Sequence, residues 1–448
     1  MRGEGMNKAA RRIILAVCSL LISVGACCAV FCARLGLFLV PAFAAAFILG
    51  FILLPAGGAG LCGARMFFLN WGTELLKSFV ISLCVSIGWH IFLLFALLPE
   101  NVRLWFVSAG VCAVLLAAVF WTGIILVYCL SFQLGVRQRV LGVLCGLIPV
   151  LNLIMLGRII RLCSGEVGFE FDKIRLDKSR AGEKVCATRY PVLLVHGVFF
   201  RDFRHINYWG RIPRELEKNG AKIYYGEHQS AASVYDSGRE LCKRIRSIAE
   251  ESSCKKVNVI AHSKGGLDAR AACMCGAAPY IASLTTVNTP HRGCEFADYL
   301  LNVIPCAVKE KVAKAYNAAA HRLGDENPDF LAAAGDLTAA ACSAFDKEAK
   351  MPEGIYCRGV MSKMNKASGG KFPLNFTYEL AKYFDGEGDG LVSVENARWG
   401  EDFTLVLPEG ERGISHGDMI DLNRENIPGC DVREFYVGLV RDLKNRGL

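Results

Sequence analysis

Residues 257–266 read Val257-Asn258-Val259-Ile260-Ala261-His262-Ser263-Lys264-Gly265-Gly266, an aliphatic run that stops at a serine boxed between small residues. The run predicts a buried strand, and the small residues after it predict a sharp strand-to-helix turn with Ser263 at its tip. In such a turn the residues two before and two after the serine nearly touch, so both must be small. Ala261 and Gly265 meet that demand, the alanine adding one methyl group where glycine is usual. Working outward, Pro191–Val195, Ala221–Tyr225, Leu284–Val287 and Thr404–Leu407 read as further strands. Between them Arg211–Lys218, Val234–Glu250 and Gly266–Cys275 read as helices. Alternation of this kind predicts a mostly parallel sheet with helices on both faces. Val432, Phe435, Tyr436, Leu439, Val440 and Leu443 mark one face of a closing helix. An Ala-rich, helical insertion over about 296–384 is too long for a plain connection and is read as a lid.

The 448 residues are 53% hydrophobic, too apolar for an ordinary soluble chain, and the excess lies before residue 157. Ile13–Cys32, Leu37–Ala56, Ser78–Leu98 and Leu104–Leu130 each supply the roughly 20 apolar residues that cross a hydrocarbon core. A fifth run, Val140–Leu156, is shorter and carries Gly142, Gly146, Pro149 and Asn152, so it could cross, dip back or lie at the interface. The chain thus divides into an all-α transmembrane region over 1–160 and an α/β domain over 185–448. A cleaved signal peptide is disfavoured for the first run because its core is long and more spans come after it.

The net charge of +9 concentrates in the first 156 residues, where ten Lys/Arg meet three Glu. The rest carries 41 basic and 39 acidic residues. Near-neutrality there argues against a nucleic-acid partner. Arg2, Lys8, Arg11, Arg12, Arg65, Lys77, Arg137 and Arg139 flank the apolar runs and favour a cytoplasmic N-terminus; with four spans the C-terminal half stays cytoplasmic, with five it is exported. Twenty cysteines without framework spacing fit a reducing compartment, and no His/Cys group has structural-zinc spacing. His90, deep in an apolar span, is read as an interhelical packing or hydrogen-bonding residue.

A serine hydroxyl becomes a nucleophile when an imidazole takes its proton and a carboxylate holds that imidazole in one tautomer. After Ser263 only His291, His321 and His416 remain. His416, in the small-residue loop Gly413-Ile414-Ser415-His416-Gly417-Asp418 between last strand and last helix, is the base; His291 suits a turn and His321 a solvated helix. Asp389, between Gly388 and Gly390, is the acid, with Asp385 its rival. The N–H groups of Lys264 and of Val198, after His196-Gly197, are the expected oxyanion donors.

Val195-His196-Gly197, Ala261-His262-Ser263-Lys264-Gly265-Gly266, Thr289-Pro290-His291-Arg292-Gly293, Asp389-Gly390-Leu391-Val392 and Ser415-His416-Gly417-Asp418 together resemble bacterial triacylglycerol lipases of the α/β-hydrolase superfamily, over about 190–448. The resemblance implies the α/β-hydrolase fold, with Ser263, Asp389 and His416 as nucleophile, acid and base. It implies no required cofactor. Members often hold a calcium ion near the histidine loop, where Asp418 stands, but the insertion shows no acidic partner for it. Phe200 stands where many such lipases have glycine, and the membrane half is a further departure. The expectation is a membrane-anchored serine hydrolase acting on lipid-like carboxylic esters through an acyl-enzyme. Acyl transfer by the same triad, or a silent binding module, are the alternatives.

Overall fold

The computed structural model describes residues 8–58, 60, 63–97, 101–198 and 207–448 and divides into two compact units at Ser179/Arg180. Phe200 lies outside the described residues.

The first unit is helical throughout: α1 (Lys8–Ala26), α2 (Ala29–Leu35), α3 (Val40–Leu53), α4 (Ala64–Leu97), α5 (Val102–Leu130), α6 (Gly135–Cys145) and α7 (Leu151–Arg180). Among the described residues four stretches, Ala9–Ala26, Leu37–Gly58, Ala64–Ala96 and Val102–Leu130, are long and apolar enough to cross a membrane. Two serines inside them find partners on a neighbouring helix, a favourable arrangement where no water competes. Ser19 Oγ bonds Ser78 Oγ at 3.0 Å, and Ser82 Oγ donates to the Ser19 carbonyl at 3.2 Å. The fifth apolar run does not form one helix. It breaks after Cys145 through a turn holding Pro149 and Val150, the latter at φ 67°, before α7 begins.

The second unit is built on six parallel strands: β1 (Val192–Val195), β2 (Ile223–Tyr225), β3 (Val257–His262), β4 (Ile281–Val287), β5 (Tyr356–Ser362) and β6 (Asp402–Val406), in the order β2-β1-β3-β4-β5-β6. Side chains alternate across a strand, so β1 feeds both cores. Val192 and Leu194 pack with Trp209, Tyr436 and Val440, on the face covered by α8 (Ile212–Lys218) and α16 (Val432–Asn445). Leu193 and Val195 pack with Leu241, Ile245 and Ala269, on the face covered by α9 (Val234–Glu251) and α10 (Lys264–Ala272). Every residue of β3 is buried, on both faces, which suits its mostly aliphatic sequence; the one amide inside it, Asn258, accepts from Ser283 Oγ at 2.7 Å.

The expected insertion over 296–384 needs correction, because β5 lies inside it and is a full member of the sheet. Its Tyr-Cys-Arg-Gly-Val-Met-Ser sequence lacks a clean aliphatic run. Arg358 is tolerated because it pairs with Asp442 at 3.1 Å and reaches Thr404 Oγ1 at 3.0 Å. The helical excursion is therefore α11 (Glu295–Val303), α12 (Cys306–Arg322), α13 (Phe330–Gly335) and α14 (Ala339–Glu348) between β4 and β5, with α15 (Leu374–Asp385) after β5.

Candidate active site

The chain steps from β1 out to β2, then returns to the other side of β1 to lay down β3. Where strand order reverses in an open parallel sheet, the loops leaving the two carboxyl ends diverge and leave a crevice. His196-Gly197-Val198 leaves β1 there and Ser263 leaves β3, with Val195 in register with Ala261.

Ser263 has φ 57° and ψ −133°, backbone space that is strained for any residue except glycine. The surroundings hold it there. Its N–H donates to the Val287 carbonyl at 2.9 Å, and its carbonyl accepts from Thr289 Oγ1 at 2.8 Å and from Gly266 N–H at 3.0 Å. A Cβ on Gly265 would lie 2.3 Å from the His196 carbonyl oxygen and 2.9 Å from that of Val195, so only glycine lets β1 and the turn approach this closely. Likewise a Cβ on Gly197 would lie 2.8 Å from Ser263 Cβ. Gly265→Ala should therefore cost about 1–3 kcal/mol of overpacking, read as a lower denaturation midpoint. Turnover should fall on the order of 10²-fold through displacement of the serine.

Asp389 and His416 are brought together by a shared anchor. The Met364 N–H donates to the Gly388 carbonyl at 2.9 Å, and Ile414 N–H donates to the Lys363 carbonyl at 2.8 Å, so both loops are stitched to the chain leaving β5. His416 Nδ1 then meets Asp389 Oδ2 at 2.6 Å, and its backbone N–H reaches the Asp389 carbonyl at 3.0 Å. Asp389 is wholly buried. Its Oδ1 accepts from the N–H groups of Leu391 and Val392, both at 2.9 Å, and its Oδ2 also accepts from Asn288 Nδ2 at 2.6 Å. Sequence reasoning missed Asn288 as a site residue. Its amide also donates to Ser362 Oγ at 2.8 Å and ties the acid to β4 and β5; the only signal was its place at the end of a buried strand.

Asp385 is used differently, its oxygens capping α11 by accepting from Glu295 N–H at 2.8 Å and Phe296 N–H at 3.0 Å. The rings of His262 and His416 lie 4.5 Å apart, which sets the base against the residue preceding the serine. No hydrogen bond joins Ser263 Oγ to His416 Nε2 among the described residues, and both residues retain a slight exposure of 8%. Nor do the N–H groups of Val198 and Lys264 meet an acceptor among the described residues. His291 is a structural residue, its Nε2 2.9 Å from Thr286 Oγ1 and its ring stacked on Trp399.

Beside the turn lies a buried polar group. Lys264 Nζ donates to Asp268 Oδ1 at 2.7 Å and to Ser237 Oγ at 3.1 Å. Asp268 Oδ2 is 3.4 Å from His228 Nε2, and the His228 ring stacks on His196 at 4.1 Å. His196 Nδ1 lies 2.9 Å from the Gly197 carbonyl. On the other side the Tyr208 hydroxyl lies 2.7 Å from His262 Nδ1.

Burial is the main cause that drives His196 down to about 3, and it holds His262 and His291 well below the usual 6.5. All three are neutral in the fold, whereas the unfolded chain protonates them below about 6.5, so stability drains away as pH falls through that value. Each contributes up to about 1.4 kcal/mol per pH unit. Asp268, raised by burial to about 6, acts oppositely: between there and its ordinary 3.8 the fold holds a proton that the unfolded chain releases, so stability returns as pH falls. From these four groups a series of denaturant midpoints between pH 7 and 4 should show a net slope near two protons. A flat series would contradict the burial of the histidines.

Asp418 accepts from Ser415 N–H at 2.8 Å, Ser415 Oγ at 2.7 Å and Arg412 Nη1 at 2.7 Å on Oδ2, and from Arg412 Nη2 at 3.2 Å on Oδ1. Arg412 also reaches Glu425 at 2.7 Å. A divalent ion would have to displace a guanidinium that already neutralises this carboxylate. The residues present do not fit calcium.

No family model matches the chain. It is 34% identical to triacylglycerol lipase of Burkholderia plantarii over 180 residues, 37% of this chain and 50% of that protein. It is also 34% identical to triacylglycerol lipase of Pseudarthrobacter phenanthrenivorans over 174 residues, 36% of this chain and 54% of that one. Triacylglycerol lipase 2 of Saccharomyces cerevisiae is 26% identical over 281 residues, 55% of this chain and 76% of its own length. The chain thus spans about half the length of these two bacterial relatives. The crystal structure of Staphylococcus hyicus lipase matches 58% of this chain and 97% of its own, at TM-score 0.44 and 16% identity. Residues 180–448 thus form a parallel-sheet α/β domain with a strained serine turn, part of a chain similar in sequence to triacylglycerol lipases.

Proposed function

We propose that this domain is a serine ester hydrolase in which Ser263 attacks, His416 moves the proton and Asp389 orients the imidazole. The observation that supports it is the 2.6 Å contact between His416 Nδ1 and a wholly buried Asp389. A carboxylate accepts only, so this contact places the ring proton on Nδ1 and leaves the Nε2 lone pair for the serine hydroxyl. Rotation of the Ser263 side chain closes the remaining hydrogen bond when an ester binds, as catalytic contacts commonly tighten with substrate. Attack on the carbonyl puts negative charge on its oxygen, which the N–H groups of Val198 and Lys264 receive. His416 then gives the proton to the leaving alcohol, and water, deprotonated by the same nitrogen, frees the acyl group.

The substrate class we favour is the acyl ester of a membrane lipid, because spans in the same chain hold the enzyme near acyl lipids at high effective concentration. The helices α11–α14 supply a cover for an apolar acyl chain. The distribution of Lys and Arg about the spans favours a cytoplasmic domain. No metal enters the chemistry. A calcium chelator should leave hydrolysis of a short-chain chromogenic ester unchanged, whereas Arg412→Ala, which frees the histidine loop, should lower it several-fold. A fluorophosphonate probe tests the reading as a whole. It should label the wild-type chain on the peptide containing Ser263 and leave Ser263→Ala unlabelled; folded wild-type protein that takes up no label would refute it.

A further inference from the structure

We propose that the membrane unit holds a zinc ion between Cys27, His90 and Cys112. Cys27 lies just past the end of α1, His90 on α4 and Cys112 on α5, yet one ligand atom from each lies within 4.8 Å of the others. Cys27 and Cys112 are buried, 7% and 4% exposed. The spacing is too wide in sequence to read as a metal motif, and only the helix packing assembles it.

The imidazole is prepared for such a role. His90 Nδ1 lies 2.8 Å from the Ser86 carbonyl of the preceding turn, and a carbonyl only accepts, so the ring proton sits on Nδ1. Nε2 is then the nitrogen with the lone pair, and it faces Ser108 Oγ at 3.1 Å. A ligating histidine ordinarily donates its other N–H to a carbonyl or carboxylate, which sets tautomer and ring angle. Trp105 donates its indole N–H to the His90 carbonyl at 2.8 Å and steadies the same turn. The two thiols pack in an apolar cluster with Ile22, Leu75 and Leu116, and Ser86 Oγ lies 3.4 Å from Cys27 Sγ. His90 is seven residues from the end of α4, about 10 Å into the apolar layer.

Charge decides which ion. Two thiolates and one neutral imidazole suit soft, borderline cations, Zn²⁺ or Cu⁺. In a hydrocarbon surround a net charge is costly. Zn²⁺ with two thiolates sums to zero, whereas Cu⁺ with two thiolates leaves one negative charge, so zinc is the ion of choice. Binding displaces both thiol protons, two per zinc. The serine hydroxyls beside the cluster can complete a fourth position, and the ion would staple the α1–α2 break to the α4–α5 hairpin.

The test uses the full-length chain in detergent micelles. Elemental analysis after dialysis against micromolar zinc should find about one Zn²⁺ per chain, with two protons released per zinc in weak buffer. Cobalt in its place should give a thiolate-to-cobalt charge-transfer band. The Cys27→Ser/Cys112→Ser double variant should lose both signals, and His90→Gln should weaken binding at least tenfold. Ester hydrolysis by the other unit serves as the folding control, and should be unchanged in all variants. Wild-type zinc no higher than that of the folded double variant would overturn the proposal. So would stoichiometric loading by copper(I) with none by zinc.

Discussion

Replacing Ser263 by alanine should lower ester turnover by on the order of 10⁴ to 10⁶, and His416→Ala should do nearly the same. The two losses should not add. Nucleophile and base act as one unit, so the double variant should be no slower than the worse single one, a comparison that initial rates on a chromogenic ester read directly. The fold should survive both changes. Ser263 is held at φ 57° by bonds of its own N–H and carbonyl, to the Val287 carbonyl and from Thr289 Oγ1 and Gly266 N–H, rather than by its own hydroxyl, and alanine keeps all of them. An unchanged denaturation midpoint with collapsed turnover is the expected pattern. Residual turnover near that of wild type would mean that another nucleophile does the work.

Asp389→Asn should cost on the order of 10⁴ in turnover, while Asp385→Asn should change it less than about tenfold. The asparagine can keep its oxygen toward the N–H groups of Leu391 and Val392, and that choice turns its NH₂ toward His416 Nδ1 and Asn288 Nδ2. Donor then meets donor. The imidazole relieves the clash by moving its proton to Nε2, where it can no longer accept from a serine. Asp385→Asn only weakens the cap on α11, worth about 1 kcal/mol of stability. If the rates of the two variants came out in the opposite order, the acid would be misassigned.

Much of the candidate site is legible in the chain because it rests on local demands. Small residues on both sides of Ser263 can be read without knowing what they touch, and the geometry supplies the carbonyls of Val195 and His196 as the reason. The glycines beside Asp389 and the loop around His416 carry their own signature. Long-range pairing is not legible. β5 escapes notice because Arg358 and Gly359 interrupt its aliphatic run, and the arginine's partners Asp442 and Thr404 are remote in sequence. Asn288 looks like a turn residue, since nothing near it announces that its amide serves a carboxylate 101 positions later. Cys27 and Cys112 are too far from His90 in sequence to read as a metal motif, and the three meet only through helix packing.

The guanidinium lodged against Asp418 has a consequence for where such a domain can operate. A countercharge carried on the polypeptide itself is delivered at synthesis, in fixed stoichiometry, and cannot be washed out or competed away. The histidine loop can therefore settle into shape without regard to the mineral content of its surroundings, on whichever side of a bilayer the domain finds itself.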